Sequence, residues 1–354
     1  MTDILPFLKN LISTSGLSGH EAPVRALIKE TWTPLTDQLT VSKLGSLQGL
    51  QRGTAPEPRP SVLLAAHMDA IGLMVTSIAD GFLRITEVGG LDPRVLPGQP
   101  VTVHTRRGEE LPGVIVQPPA RLLPKDVKDG PLPLKYLMVD TGLLPEEVFR
   151  LVHPGDPVSF AQMPIETAGE TLSGHTLDNR ASVAAVTVCL QELKNRPHNW
   201  DVWAVATVQE EETLGGALTS AFELKPTIGI AIDVTFAESP GSPGHRTFPL
   251  GEGPALGWGP NAHPAVFKKL KEAAEKLEMS YHLEPMPRYS GTDAMALQIA
   301  AAGVPTAVVS IPLRYMHTPV EMVSMKDIHR TGRLLAEFIT QLTPDFPESL
   351  SWDE

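Results

Sequence analysis

Residues Val202 to Val208 form a short apolar run, and Gln209-Glu210-Glu211-Glu212 follows it directly. A run of that length bounded by polar residues has the pattern of a parallel strand buried on both faces. Three carboxylates at the end of such a strand are costly unless something positive stands among them. The stretch therefore points to a metal centre faced by two of the glutamates, one as a ligand and one as a general base. The remaining ligands must come from elsewhere in the chain.

Composition narrows what they can be. The single cysteine, Cys189, excludes an internal disulfide and a thiolate-rich zinc site, and its apolar surroundings predict a small buried hydrophobe. Any metal site must be built from His, Asp and Glu. At 354 residues the chain can hold one large core and a smaller second unit. A formal charge of -12 argues against nucleic acid and against an anionic membrane surface as partners. No apolar run approaches the roughly 20 residues of a membrane span. Met1-Thr2-Asp3-Ile4-Leu5-Pro6 lacks the basic and apolar regions of a secretion signal, so a cytoplasmic protein is expected.

Residues 4–12 and 21–33 read as amphipathic helices separated by Ser13 to Gly19, with Ser18 or Gly19 as a cap for the second. Thr40 to Leu50 suits a strand and hairpin. Ser61 to Ala66 is a second doubly buried strand, and His67-Met68-Asp69 follows it. A carboxylate two residues on can orient the imidazole through its second nitrogen. From Ala70 to Ala161 short alternating runs (Leu73 to Ile78, Phe82 to Glu87, Gln99 to His104, Gly113 to Gln117, Pro157 to Phe160) predict a small antiparallel β unit inserted into the α/β domain. Leu123 to Lys135, rich in Pro and charge, reads as an exposed loop within it.

The α/β pattern resumes at Gly174-His175-Thr176-Leu177-Asp178-Asn179-Arg180, ahead of a helix over Ala181 to Leu193. Asp178 taken alone reads as an N-cap. A helix over Gly215 to Leu224 and a buried strand, Thr227 to Ile232, come next, with Asp233 at the strand's end. His263-Pro264 begins a long helix to Met279, and Ser290 to Asp293 opens a short one to Ala301. Pro305 to Ile311 is a further apolar strand leading to Arg314-Tyr315-Met316-His317-Thr318-Pro319. Ser324 to Asp327 resembles a capping box for a last helix to Leu342, and the tail from Thr343 is expected to fray.

His67, Glu210/Glu211, Asp233 and His317 thus share one position, at or just beyond the C-terminal end of a predicted buried strand. Asp178 precedes a helix that should pack on the same sheet. The crevice outside the carboxyl ends of strands is where open α/β sheets bind ligands. Two His and three carboxylates suit zinc, cobalt or manganese, and one bridging carboxylate can join two ions about 3.5–4 Å apart. Such a site can acidify a water, polarise a carbonyl and leave a carboxylate free to move protons, which is the equipment for hydrolysing an amide. His175, close to Asp178, is the remaining histidine of interest.

His67-Met68-Asp69-Ala70-Ile71-Gly72-Leu73-Met74-Val75 resembles the first metal motif of the tetrahedral, dodecameric metallo-aminopeptidases. These include the glutamyl and deblocking aminopeptidases of the co-catalytic zinc exopeptidase clan. Leu177 to Arg180, Gln209-Glu210-Glu211, Asp233-Val234-Thr235 and Tyr315 to Glu321 resemble its later motifs, in order. Val88-Gly89-Gly90 through Asp92-Pro93-Arg94 to Leu96-Pro97-Gly98 is similar to a loop of its inserted β domain. The resemblance spans nearly the whole chain.

It implies an α/β fold, a mixed, mostly parallel sheet flanked by helices, with an inserted small antiparallel β-barrel. The catalytic domain would be 1–69 with 162–354, and 70–161 a dimerisation or oligomerisation domain. It implies two divalent metal ions per subunit, zinc or cobalt before manganese, with Asp178 bridging. His67 and Asp233 would complete one site, Glu211 and His317 the other. Glu210 would be general base and acid, and Asp69 would support His67. The substrates would be peptides with a free N-terminus, cut inside a homo-oligomer of twelve subunits. Glu212 and Thr213 stand where small or apolar residues are usual, Leu91 where an aromatic residue is frequent, and His175 where a basic or apolar one is, and these departures bear on specificity. Arg288, Tyr289, Gly291 to Asp293 and Arg314 are candidate pocket residues. A metal-dependent deacylase of small N-acyl substrates is the alternative. An endoglucanase is disfavoured, because a glycosidase prefers an aromatic-lined cleft and aromatic content here is 5%. A non-catalytic scaffold would be expected to lose a ligand or the base, and all six are present.

Overall fold

The computed structural model describes residues 3–123, 132–242, 244 and 246–352. Most of the expected Pro-rich loop, 124–131, lies outside the described residues. Two helices, α1 (Leu5–Ser13) and α2 (Ala22–Trp32), precede the hairpin β1 (Gln38–Val41) and β2 (Leu47–Gln51), and then β3 (Ser61–His67). Val62 to Ala66 on β3 are no more than 1% exposed, so the strand is covered on both faces as its unbroken apolar run requires. Each fully buried Leu or Val contributes on the order of 1.5–3 kcal/mol.

Six strands follow: β4 (Gly72–Ala79), β5 (Phe82–Val88), β6 (Pro100–His104), β7 (Glu110–Val116), β8 (Met138–Asp140) and β9 (Pro157–Phe160), with the short helix α3 (Pro145–Leu151) between the last two. They close into an antiparallel barrel in the order β4-β5-β8-β7-β6-β9. Alternation fills its interior: Leu73 and Val75, Leu83 and Ile85, Val101 and Val103 come from successive inward positions. Asp80 and Gly81 both take positive φ, 52 and 85, so the two-residue connection from β4 to β5 is the type I′ turn that matches strand twist.

The chain then returns to the first sheet through β10 (Ile165–Thr167), β11 (Thr171–Gly174), α4 (Leu177–Leu193) and β12 (Asp201–Thr207). The single turn α5 (Glu210–Thr213), α6 (Gly215–Leu224), β13 (Ile228–Phe236), β14 (Ala255–Trp258) and α7 (Pro264–Lys276) follow. The last elements are β15 (His282–Pro285), α8 (Ala294–Gln298), β16 (Thr306–Arg314), β17 (Glu321–Ser324) and α9 (Met325–Thr340). The sheet order is β1-β2-β12-β3-β13-β16-β17-β11-β10, with β14 paired to β16 and β15 to β14. Its centre, β12-β3-β13-β16, is parallel, which brings the C-terminal ends of those strands to one side. Helix α9 packs on α4 at Gly332, where a Cβ would stand 2.6 Å from the Ala185 carbonyl oxygen.

Three local expectations are corrected. Strand β13 runs on to Phe236, so Asp233 lies within it, because β13 keeps pairing with β16 beyond Ala231, the last residue paired with β3. Ser324 makes no side-chain cap on α9; Asp327 instead accepts from the Gly251 and Gly253 amides at 2.6 and 2.9 Å, pinning a loop. The tail does not fray through its described length. The Trp200 indole donates to the Thr343 carbonyl, Phe346 packs on Trp200, and Trp352 packs on His263. No helix among the described residues is long and apolar enough to cross a membrane.

Candidate metal centre

Strand β3 delivers His67 as its last residue, 2% exposed. Its Nδ1 faces Asp69, 3.2 Å from the backbone oxygen and 3.6 Å from Oδ1. Its Nε2 looks into the crevice, 3.2 Å from Asp178 Oδ1, 3.8 Å from Glu210 Oε2 and 3.9 Å from Asp233 Oδ1. The carboxylate of Asp69, 0% exposed, accepts the Glu210 and Glu211 amides at 3.0 and 3.3 Å and the Ser18 hydroxyl. Ser18 is therefore no cap. Helix α2 starts at Ala22, and the Glu21 carboxylate before it accepts from the Gly19 and Gln209 amides at 2.7 and 3.2 Å.

After β12 the chain turns sharply at Gln209 (φ 57, ψ 33) and enters α5. That turn aims the first amides of α5 at Asp69 and presents the glutamates in different directions. Glu210 faces His67, and Glu211 Oε2 lies 3.5 Å from His317 Nε2. Glu212 leaves the crevice altogether: its carboxylate accepts from the Gly89 amide at 2.7 Å, tying α5 to the barrel.

Asp178 stands in the first turn of α4 with non-helical backbone (φ -78, ψ 105), and the peptide that follows it is cis. Thr176, not Asp178, holds the N-cap position. Asn179 donates to the Ile232 carbonyl at 2.8 Å, joining this turn to β13 beside Asp233. The Asp178 side chain is set between two imidazoles, with Oδ2 3.4 Å from His317 Nε2. His317 sits in the loop after β16 at φ 61. Glu321, 1% exposed, holds the backbone on both sides, accepting the Asp178 amide at 3.0 Å and the His317 amide at 2.9 Å. Nothing in the spacing marked Glu321 or Ser18 for these positions, although Glu321 closes the motif that contains His317.

Two groups of donor atoms result, His67/Asp178/Asp233 and Asp178/Glu211/His317, each drawn within 4.8 Å. Burial, reinforced by neighbouring carboxylates, raises Glu211 and Asp233 well above the ordinary carboxylate range. Burial pushes Glu210 up to about 9, opposed by His67 and reinforced by Asp233, Asp293 and Asp178. Glu211 Oε1 is buried with no hydrogen-bond partner. A crowd of buried imidazole and carboxylate donors, mutually repelling and in part unpaired, fits divalent cations. Arg180 stands behind the crevice, its charge acting on the supporting carboxylates Asp69 and Glu321. Fully buried, it donates to the backbone oxygens of Met68, Leu11 and Thr14, and burial, against Asp69 and Glu321, lowers it to about 10.

His175 belongs to neither group. Burial, with the Arg180 charge, lowers it to about 3 and keeps it neutral. The crevice is a cavity of about 540 Å³. Of the candidate pocket residues, Tyr289, Gly291 and Thr292 line it. Asp293 lies behind it, accepting from the Thr207 hydroxyl at 2.6 Å, and the Arg314 guanidinium turns to the Glu238 carbonyl.

A profile of the M42 glutamyl aminopeptidases matches residues 45–334. The chain belongs to that family. It is a metal-dependent aminopeptidase, a hydrolase of peptide bonds. A lysyl aminopeptidase of Pyrococcus furiosus is 36% identical over 95% of this chain and 97% of its own length. The fold matches the TET aminopeptidase of a marine-sediment Thaumarchaeota archaeon at a TM-score of 0.92, with 29% identity over 98% of this chain and 99% of the other. It also matches the Pyrococcus horikoshii TET1 peptidase, which can assemble into a tetrahedron or a large octahedral shell, at 0.83, with 30% identity over 96% of this chain and 100% of the other.

Proposed function

We propose that this aminopeptidase works with two divalent ions, zinc or cobalt before manganese, shared through Asp178. His67 and Asp233 complete one site, and Glu211 and His317 the other. The observation that carries the reading is the Asp178 carboxylate, one oxygen turned to each imidazole, with Glu210 alongside. Bound ions would supply Lewis-acid polarisation of the scissile carbonyl and acidify a water in the crevice. The chain's residues then divide the work. Glu210 removes the proton of the attacking water and hands it to the nitrogen of the leaving amine as the peptide bond breaks. Asp69 holds His67 through Nδ1, which leaves Nε2 as its donor atom. Glu321 fixes the backbone beneath Asp178 and His317.

The substrates are peptides with a free N-terminus. Residues 1–69 with 162–354 form the catalytic domain, and 70–161 an inserted domain for oligomer contacts. Leu122, Leu144 and Phe149, 57–69% exposed, give the inserted unit an apolar surface suited to a second copy. The likeness to the TET peptidases supports a closed homo-oligomer of twelve subunits, and the lone buried thiol suits the cytoplasm.

The test is release of aminoacyl chromophores before and after chelation and metal add-back, beside N-acetylated counterparts, with metal content and native mass measured on the same sample. Turnover that survives chelation, or that favours the N-acetylated peptides, overturns the reading.

A further inference from the structure

One wall of the crevice carries a charge that peptide hydrolysis does not use. Glu284, on the edge strand β15, lines the cavity with Thr235, Met286, Tyr289 and Met295. Its Oε1 accepts the Thr235 hydroxyl at 2.5 Å. Its Oε2 is buried and makes no well-formed hydrogen bond, although the Ser310 hydroxyl lies beside it and favours the carboxylate form. Among the described residues, no cationic side chain acts on this carboxylate. Burial raises this carboxyl above its ordinary range, and a cation brought to it by a ligand would offset that cost.

Its place relative to the chemistry is set by β13. Asp233 and Thr235 are two residues apart on that strand, so their side chains share a face about 6.6 Å apart. Asp233 stands in the donor cluster, and Thr235 holds Glu284. The carboxylate therefore borders the same cavity as the metal ligands, with Phe236, Met286 and Met295 lining it as well. A side chain suited to that space has an aliphatic stem to lie on the apolar wall and a cation at its tip.

We propose that Glu284 receives the ammonium or guanidinium of the residue being removed, so that the enzyme prefers peptides beginning with lysine or arginine. The inference rests on the aminopeptidase reading of the same crevice. The Thr235 hydroxyl orients the carboxylate, and the thioethers and Phe236 pack on the stem. A neutral aliphatic residue would fill the same wall and leave Glu284 unpaired. An acidic residue would bring a second carboxylate to it.

The experiment compares kcat/KM of the metal-loaded enzyme on Lys-, Arg-, Leu- and Glu-p-nitroanilide, for wild type and Glu284→Gln, which keeps the shape and an acceptor for Thr235. Wild type should favour Lys and Arg over Leu by about tenfold or more, and the variant should lose that ratio chiefly through KM. Calorimetry gives a readout without turnover: L-lysine should bind wild type more tightly than L-norleucine, and Glu284→Gln should erase the difference. Preference for Leu or Glu, or an unchanged Lys/Leu ratio in Glu284→Gln, overturns the proposal. Hydrolysis of none of the four defeats the aminopeptidase reading instead, and the lysine–norleucine comparison then decides this one.

Discussion

The two donor clusters share Asp178 and differ in almost everything else. His67 is the last residue of a central strand, 2% exposed, and is backed by Asp69, itself fixed by two amides and a hydroxyl. Its partner Asp233 lies inside β13. His317 is 37% exposed, stands in a loop at φ 61, and has its backbone held by Glu321 through its own amide. Its partner Glu211 rides on a single helical turn, which Glu212 anchors to the barrel through Gly89. One cluster is built into the sheet. The other depends on loops from two units meeting correctly, and loops open more readily than central strands. The inner cluster should therefore hold its ion more tightly.

The largest expected effect breaks both clusters at once. Asp178→Ala should abolish measurable turnover and drop bound metal below one equivalent per chain by atomic absorption. A full equivalent with retained activity would exclude a shared ligand. Next comes Glu210→Gln, expected to cost roughly 10²–10⁴-fold in kcat with metal content unchanged. A smaller loss would remove Glu210 from the proton-transfer role.

Chelation separates the clusters directly. Metal loss followed in time should show a fast equivalent, whose departure stops turnover, and a slow one. A single phase carrying both equivalents would mean that burial does not distinguish them. Asp69→Asn and Glu321→Gln should each cost about 10–100-fold in metal affinity, Asp69→Asn chiefly on the tight ion through His67, and Glu321→Gln on both, because it holds the amides of the shared Asp178 and of His317. The smallest effect should come from Gly90→Ala. Its Cβ would stand 3.1 Å from His317 Nδ1 and should weaken only the outer ion, by less than about tenfold. Equal weakening of both ions would show that the clusters do not respond separately.

Much of this crevice is legible in the chain. His67, Glu210, Glu211 and His317 follow apolar runs that can only be buried strands, and parallel strands put their C-terminal ends on one side. Asp178 is different. Its position before a helix is that of a cap, and it reaches the crevice because residues 178 and 179 leave helical geometry. Ser18 shows the same limit from the other direction, since it has the spacing of a cap and spends its hydroxyl on Asp69. The acidic, Pro-rich tail has the composition of a loose end, but Trp200 and His263 give its aromatic residues places to pack. Local pattern encodes burial and period; it carries no information on which distant group completes a hydrogen bond.

The three glutamates after β12 divide the credit most clearly. Composition and placement alone pointed to a positive centre faced by two of Glu210, Glu211 and Glu212, and to the chain's histidines and aspartates as its other ligands. Only the tertiary structure decided their separate directions. The turn at Gln209 starts a helix there, which rotates successive side chains by about 100°. Glu210 meets His67, Glu211 meets His317, and Glu212 reaches the Gly89 amide of the barrel. Three identical side chains thus take different partners because sheet order and barrel closure, set by contacts far apart in the chain, fix what lies in each direction.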